Sequence, residues 1–128
     1  MIYLATGDNG DAGDGLWKLC YHADSDQFTG ARLTKPGDQI YTVGLGLGRE
    51  GGDYFTEPKM LYFSGIIDGE YGFFRTADEC KTITRINNDR QMFGRIHSID
   101  GDKRIFGRFF LATGSSGLLY GEMEENFA

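Results

Sequence analysis

Leu61–Asn87 reads LYFSGIIDGEYGFFRTADECKTITRIN and decides the fold. Leu61-Tyr62-Phe63 is a bulky run that ends at Gly65. Asp68-Gly69-Glu70-Tyr71-Gly72 reads as a turn, because an Asp-Gly pair supplies the positive φ that tight hairpins need. Gly72-Phe73-Phe74-Arg75 is the return strand. A second turn spans Thr76 to Thr82. Ile83-Thr84-Arg85-Ile86 then alternates apolar with polar, as a half-buried strand does. The stretch is three short strands and two turns, with no helical periodicity.

Pieces of this pattern recur on both sides. Ile2-Tyr3-Leu4-Ala5-Thr6-Gly7 leads through a Gly-rich turn to Gly15-Leu16-Trp17. Phe109-Phe110-Leu111-Ala112-Thr113-Gly114 leads to Gly117-Leu118-Leu119-Tyr120. Leu-Ala-Thr-Gly is identical in the two flanking copies. The equivalent aromatics are Tyr3, Tyr62 and Phe110, a period of about 50 residues that suits four-stranded propeller blades. The expected fold is therefore all-β, a partial β-propeller of two to three four-stranded antiparallel blades. If the repeated hairpin is the second and third strand of a blade, the chain divides into a partial blade (1–38), a complete blade (39–87), a partial blade (88–122) and an acidic tail (123–128). Such a piece has two open radial faces. Blades bury their apolar faces on neighbours, so the reading predicts self-association or the remaining blades of a larger propeller as partners.

Composition narrows the function. The chain has 128 residues, of which 40% are hydrophobic and 25% charged, and 20 Gly against 2 Pro. Many glycines with many aromatics fit short strands and tight turns. The net charge of −6 comes with scattered basic residues, densest at Lys103, Arg104 and Arg108, which argues against nucleic acid as a partner. No apolar run approaches the ~20 residues that span a bilayer, so no membrane partner is expected. The start, Met-Ile-Tyr-Leu-Ala-Thr-Gly-Asp, has neither the basic beginning nor the apolar stretch of a signal peptide, and the compartment stays open.

The remaining chemistry is sparse. Cys20 and Cys80 fit no metal pattern and read as free thiols packed as small apolar groups. Asp8 to Gly15 is read as a solvated hairpin loop. Calcium binding there is the lesser alternative, since its oxygens follow Asp-x-Asn-x-Asp only loosely and lack the distal bidentate Glu. No cofactor or metal is expected. Trp17 is expected in the core, His97 as a satisfied structural histidine, and Tyr54-Phe55 as an exposed aromatic pair on a long loop from Leu47 to Pro58. Arg95–Ile99 and Ile105–Thr113 are expected strands, with Asp100-Gly101-Asp102-Lys103 as a turn between them. Ser115-Ser116 lacks the spacing of a nucleophile elbow.

Two resemblances carry more. Thr76-x-Asp78-x-Cys80-x-Thr82-Ile83 resembles the Asp-box, Ser/Thr-x-Asp-x-Gly-x-Thr/Ser-Trp, of sialidase-type repeats. Its carboxylate accepts backbone N–H bonds inside the turn and its Gly allows a positive φ. Cys80 and Ile83 replace the Gly and the Trp, so the box is degenerate, and Thr76, Asp78 and Thr82 are given a structural role. A longer succession is similar to the C-terminal end of the catalytic region in xyloglucanase-type inverting endoglucanases. It includes Val43-Gly44-Leu45-Gly46, Gly65-Ile66-Ile67-Asp68-Gly69, Arg85-Ile86-Asn87-Asn88-Asp89, Phe93-Gly94, Gly107-Arg108-Phe109-Phe110-Leu111 and Leu119-Tyr120-Gly121. Those enzymes have two seven-bladed propellers with a substrate cleft between them. Their polar connection usually reads Asn-Asp-Asp-x-His-Gln-aromatic-Gly; here Gln91 and Met92 replace the His and Gln.

The resemblance implies a propeller segment of a polysaccharide-degrading glycoside hydrolase of the xyloglucan or β-1,4-glucan type. The family's catalytic acid and base lie in earlier parts of the fold, and inverting hydrolysis needs two carboxylates ~6.5–9.5 Å apart. No such pair is named here, so no catalytic residue is expected in this chain. Turns between second and third strands share one propeller face with the blade-to-blade connections. Carboxylates, amides and aromatics gathered there are the materials of a sugar site. Asp68, Glu70, Tyr71, Asn88, Asp89 and Phe93 are the candidate substrate-binding residues, with polysaccharide as the partner. The alternative is a non-catalytic Asp-box repeat protein that acts as a self-assembling interaction scaffold.

Overall fold

The computed structural model describes residues 1–7, 14–55, 58–87, 96–114 and 117–122. Asn88, Asp89, Phe93, Ser115-Ser116, nearly all of the Asp8–Gly15 loop and the acidic tail lie outside the described residues. Ten strands run in chain order: β1 (Ile2–Ala5), β2 (Leu16–His22), β3 (Gln27–Arg32), β4 (Gln39–Gly46), β5 (Met60–Ile67), β6 (Glu70–Thr76), β7 (Thr84–Arg85), β8 (Ile96–Gly101), β9 (Phe109–Thr113) and β10 (Leu118–Gly121). They form three antiparallel sheets with the orders β1-β2-β3, β4-β5-β6-β7 and β10-β9-β8. Among the described residues there is no helix, and hence none long and apolar enough to cross a membrane. The all-β, partial-propeller architecture expected from the repeats is the one observed.

The middle sheet is covered on both faces. Side chains alternate across a strand. Met60 and Tyr62 of β5 and Phe73 of β6 therefore join Ile96, Ile99, Phe109 and Leu111 of the third sheet in one buried cluster. Leu61, Phe63 and Ile67 of β5 and Phe74 of β6 join Leu16 and Ile40 in a second cluster, with Tyr3, Ala5 and Leu33 packed on it from the first sheet's side. The near-continuous apolar run MLYFSGII is what two buried faces require. Phe63 stacks on Phe74 across the β5–β6 pair at 5.7 Å between centroids. Tyr62, wholly buried, sits 5.4 Å from Phe109. Burial pushes its hydroxyl up to about 12.

Glycines let the sheets approach. A Cβ on Gly101 of β8 would lie 2.5 Å from the Gly46 Cα of β4, and one on Gly44 would collide with the Ile99 carbonyl. The third sheet thus docks on the middle one backbone to backbone, and Leu47 N–H donates to the Asp102 carbonyl at 3.1 Å.

Several element boundaries differ from the sequence reading. The expected five-residue turn after Ile67 is a two-residue hairpin: Ile67 pairs with Glu70, and only Asp68 (φ 53°) and Gly69 (φ 78°) turn. Two successive positive φ values match the right-handed twist of the flanking strands, which frees Glu70, Tyr71 and Gly72 to join β6. The strand expected over Ile83–Ile86 keeps only Thr84–Arg85 in the ladder. Asp100-Gly101, read as a turn, belongs to β8, and Ile105-Phe106-Gly107, read as strand, is the turn. Asp102 causes the shift: its carboxylate accepts from Arg104 N–H at 2.7 Å and Ile105 N–H at 2.9 Å, an Asx-type turn that the hydrophobicity of Ile105-Phe106 conceals. Those bonds hold the Asp102 carboxyl below its usual range.

Candidate functional site

The hairpin tip carries the described candidates. Asp68 lies at the first turn position, and its backbone N–H donates to the buried Asp38 carboxylate at 3.1 Å. Its own carboxylate forms an ion pair with Lys35, from the loop between β3 and β4. Glu70 begins β6 and faces Arg85 of β7, 3.9 Å away. Both carboxylates border a hollow of about 350 Å³ floored by Phe74, Cys80 and Ile83 and rimmed by Lys81 and Arg85. An ion-paired carboxylate still has lone pairs to accept from hydroxyl donors, and a carboxylate rim over an apolar floor suits a polyhydroxylated ligand.

Tyr71 is not part of that hollow. One residue after Glu70, it projects to the opposite side of β6. There its hydroxyl accepts from Ile96 N–H at 3.4 Å, and its ring lies 6.4 Å from Tyr41. The structure therefore brings Asp68 and Glu70 together and sends Tyr71 toward the third sheet. Neighbouring Asn87 is buried, and its side-chain oxygen accepts from Phe73 N–H at 3.0 Å, pinning the start of the connection to β6. The sequence reading missed Lys35, Asp38 and Arg85 as partners of the tip. Lys35 and Asp38 come from a distant loop and carry no local signal. Arg85 could be read from its place beside Thr84 in the alternating strand.

Asp78 works in a turn of its own. The Thr76 hydroxyl donates to its carboxylate at 2.8 Å, and Thr82 N–H donates to the same oxygen at 2.9 Å. Cys80 N–H donates to the Thr76 hydroxyl at 3.0 Å. The Thr82 bond does most to hold the Asp78 carboxyl below its ordinary range. Glu79 (φ 56°) and Cys80 (φ 69°) both adopt the left-handed conformation. Cys80 does so where a glycine would be unstrained, while its side chain packs on the Phe63–Phe74 cluster. Burial there raises its thiol to about 12. Both cysteines are free. Glu79, at the same tip, ties the middle sheet to the first through Lys18 at 2.8 Å.

The other singled-out residues sit apart. Trp17 is half-buried rather than in the core, and His97 is exposed on β8. His97 is thus no interior histidine, because the register irregularity between Ile96 and Ser98 leaves it on the surface. Phe55 is exposed, with its ring 6.0 Å from that of Tyr54, and Tyr54 lies under the ammonium groups of Lys59 and Lys103. Among the described residues no group of three His, Cys, Asp or Glu is placed to hold a metal ion.

Three consecutive sheets packed face on face, with hairpins in register along the chain, define a segment of a β-propeller. Known proteins specify which one. Over 86 residues, 66% of this chain, it is 41% identical to a xyloglucanase of Acetivibrio thermocellus, of which it covers 10%. It is 34% identical over 117 residues to a Paenibacillus xyloglucanase, covering 91% of this chain and 10% of that protein. It is 39% identical over 131 aligned positions to an oligoxyloglucan-reducing end-specific xyloglucanase of Emericella nidulans, covering 97% of this chain and 14% of the relative. Among solved structures, the GH74 xyloglucanase from Xanthomonas campestris superposes with a TM-score of 0.71 at 33% identity, over 95% of this chain and 15% of that one. A GH74 enzyme from Niastella koreensis shares the fold, with a TM-score of 0.67 over 98% of this chain and 17% of that one. No family model matches the chain. The chain is a homologue of the GH74 xyloglucanases over a part of their length, spanning 10 to 14% of the relatives it matches.

Proposed function

We propose that the chain is a propeller segment of a glycoside hydrolase acting on xyloglucan or related β-1,4-glucan. In this reading it supplies polysaccharide-contacting surface, and the catalytic acid and base reside outside it. The observation that supports the reading is the identity to named xyloglucanases along nearly the whole chain. Asp68 and Glu70, at the rim of the hollow beside the hairpin tip, are the residues proposed to bond sugar hydroxyls. Asn88, Asp89 and Phe93 are proposed as contacts along the connection that follows Asn87, and Tyr71 as a separate contact on the opposite side of β6 from the hollow. Thr76, Asp78 and Thr82 are proposed as a degenerate Asp-box that closes the blade and touches no substrate.

Affinity electrophoresis in xyloglucan tests the binding. The expected result is retarded migration that Asp68→Asn with Glu70→Gln relieves and Asp78→Asn does not. Migration unaffected by xyloglucan overturns it. A reducing-end assay tests the second half, and release of reducing ends by this chain alone would show that it holds its own acid and base. A second reading, a non-catalytic scaffold, draws on the exposed apolar side chains of the two flanking sheets. Unretarded migration together with self-association would favour it.

A further inference from the structure

The loop between β3 and β4 grips Asp68 at both ends. In a two-residue hairpin the N–H of the first turn residue points away from the ladder, and at an exposed tip water is its ordinary partner. Here the Asp68 N–H donates instead to the carboxylate of Asp38, 30 residues earlier in the chain and only 3% exposed. The Asp68 carboxylate meets the Lys35 ammonium of the same loop. Removing a carboxylate from water is costly, and it is tolerated where hydrogen bonds hold it. Asp38 is therefore a fixed point for the tip.

The loop is itself anchored before it reaches the tip. Leu33 N–H donates to the Leu16 carbonyl at 2.8 Å, and Leu16 N–H donates to the Thr34 hydroxyl at 3.1 Å. The Lys35 carbonyl accepts from Asp38 N–H and from the Arg32 guanidinium, both at 3.2 Å, which closes a turn over Gly37 (φ 95°). The backbone is thus held in place while the Lys35 side chain stays 58% exposed. Its pair with Asp68, exposed on both sides, contributes little to stability. The other cation at the tip differs. Arg85 is 21% exposed and donates to the Tyr71 carbonyl at 2.9 Å, which commits it to the sheet.

We propose that this loop is the second half of the sugar site, with Lys35 a direct ligand contact and Asp38 a positioning residue that fixes Asp68. The Asp68 and Glu70 carboxylates supply only acceptors, whereas sugar hydroxyls both donate and accept. The Lys35 ammonium has three N–H donors, so it can hold Asp68 with one and give another to a hydroxyl oxygen. One sugar hydroxyl then donates to Asp68 while its neighbour accepts from Lys35. Both roles rest on the reading of the hairpin tip as a sugar site.

Calorimetric titration of the 128-residue chain with xyloglucan is the test. Lys35→Met keeps the stem and removes the donors. It is expected to weaken binding about two- to tenfold, the loss of one hydrogen bond, while Lys35→Arg binds like the wild type. Asp38→Ala should weaken binding as much and speed hydrogen exchange at the Asp68 amide. Asp38→Asn, which keeps a carbonyl acceptor, should restore both. Asp78→Ala loses a turn bond at the other end of β6 and should leave the affinity unchanged, which separates positioning from a general loss of stability. Wild-type affinity in Lys35→Met removes Lys35 from the site, and wild-type affinity in Asp38→Ala removes Asp38; either leaves the sugar reading of the tip intact. A wild-type chain that binds no xyloglucan overturns that reading and both roles with it. In the wild type the Asp68 amide is expected to exchange slowly, and exchange as fast as that of an open turn overturns the role of Asp38 even where Asp38→Ala fails to fold.

Discussion

The middle sheet and the two flanking sheets are built from the same hairpin but meet different surroundings. Along β5 no residue is exposed, and its sequence is apolar almost without interruption. Along β3 five of six residues are exposed, and the sequence, QFTGAR, mixes polar residues with Phe28. β1 and β10 lie between these extremes, alternating exposed and half-buried residues. The difference teaches that one hairpin is made a core element or a surface element by how many sheets stack on it. Apolar burial is worth about 25 cal/mol per Å², so a strand covered twice carries far more of the stability than one covered once.

The comparison can be broken by mutation. The largest effect is expected for Phe63→Ala, which empties a fully buried site stacked on Phe74. Urea unfolding should show a loss of about 3–5 kcal/mol. Phe28→Ser, at a position 58% exposed on the first sheet, should change stability by no more than about 0.5 kcal/mol. Equal losses would mean that the first sheet is as deeply packed as the middle one.

Next comes the contact that joins the middle sheet to the third. Gly101→Ala places a methyl 2.5 Å from the Gly46 Cα and 2.6 Å from the ring of buried Tyr62, so backbone or ring must shift. A loss of about 1–3 kcal/mol is expected, with the near-ultraviolet signal of Tyr62 and Phe109 altered. An unchanged midpoint would show that the sheets do not meet through glycine.

Smaller effects belong to the two turns of the middle sheet. Gly69→Ala forces a left-handed residue at φ 78°. It should cost about 1–2 kcal/mol. Asp78→Ala removes the acceptor for Thr82 N–H and should cost about 1 kcal/mol. The pH dependence has a definite sign. The folded Asp78 pKa lies below the ordinary value of 3.8, so the carboxylate's contribution is complete above that value and is lost as pH falls through the folded pKa. The gap between wild type and Asp78→Ala should therefore close in acid, below 3.8. A constant gap would assign the cost to packing. The smallest effect is expected for Lys35→Ala. Its ion pair with Asp68 is more than half exposed on both sides. A change of at most about 0.5 kcal/mol is expected, reduced further by salt.

The candidate site was less legible than the fold. Asp68-Gly69 announces its own hairpin, because the conformation is set by the two residues that adopt it. Lys35, Asp38 and Arg85, which dress that tip, reach it only through sheet pairing and loop placement. Glu70 and Tyr71 are neighbours in sequence, and both read as turn residues. Once the turn shrinks to two residues they become strand residues, and strand alternation sends their side chains to opposite faces. Asp102 had a similar hidden effect, since its carboxylate bonds made a turn of the apolar Ile105-Phe106.

The sequence by itself determined the repeated hairpin, the absence of helical periodicity, the turn at Asp68-Gly69 and the likeness to xyloglucanases. Each is written in local spacing, residue type or a short run of matched motifs. Tertiary structure alone decided which face each strand buries, where Gly44, Gly46 and Gly101 let backbones meet, and which cations answer Asp68 and Glu70. It also decided that Ile2, Leu4, Phe28, Phe110, Leu118 and Tyr120 are exposed, although their counterparts Leu61, Phe63 and Tyr62 are buried. The physical reason is that burial belongs to a pair of surfaces: a strand encodes its apolar side, but only the sheet stacked against it removes that side from water.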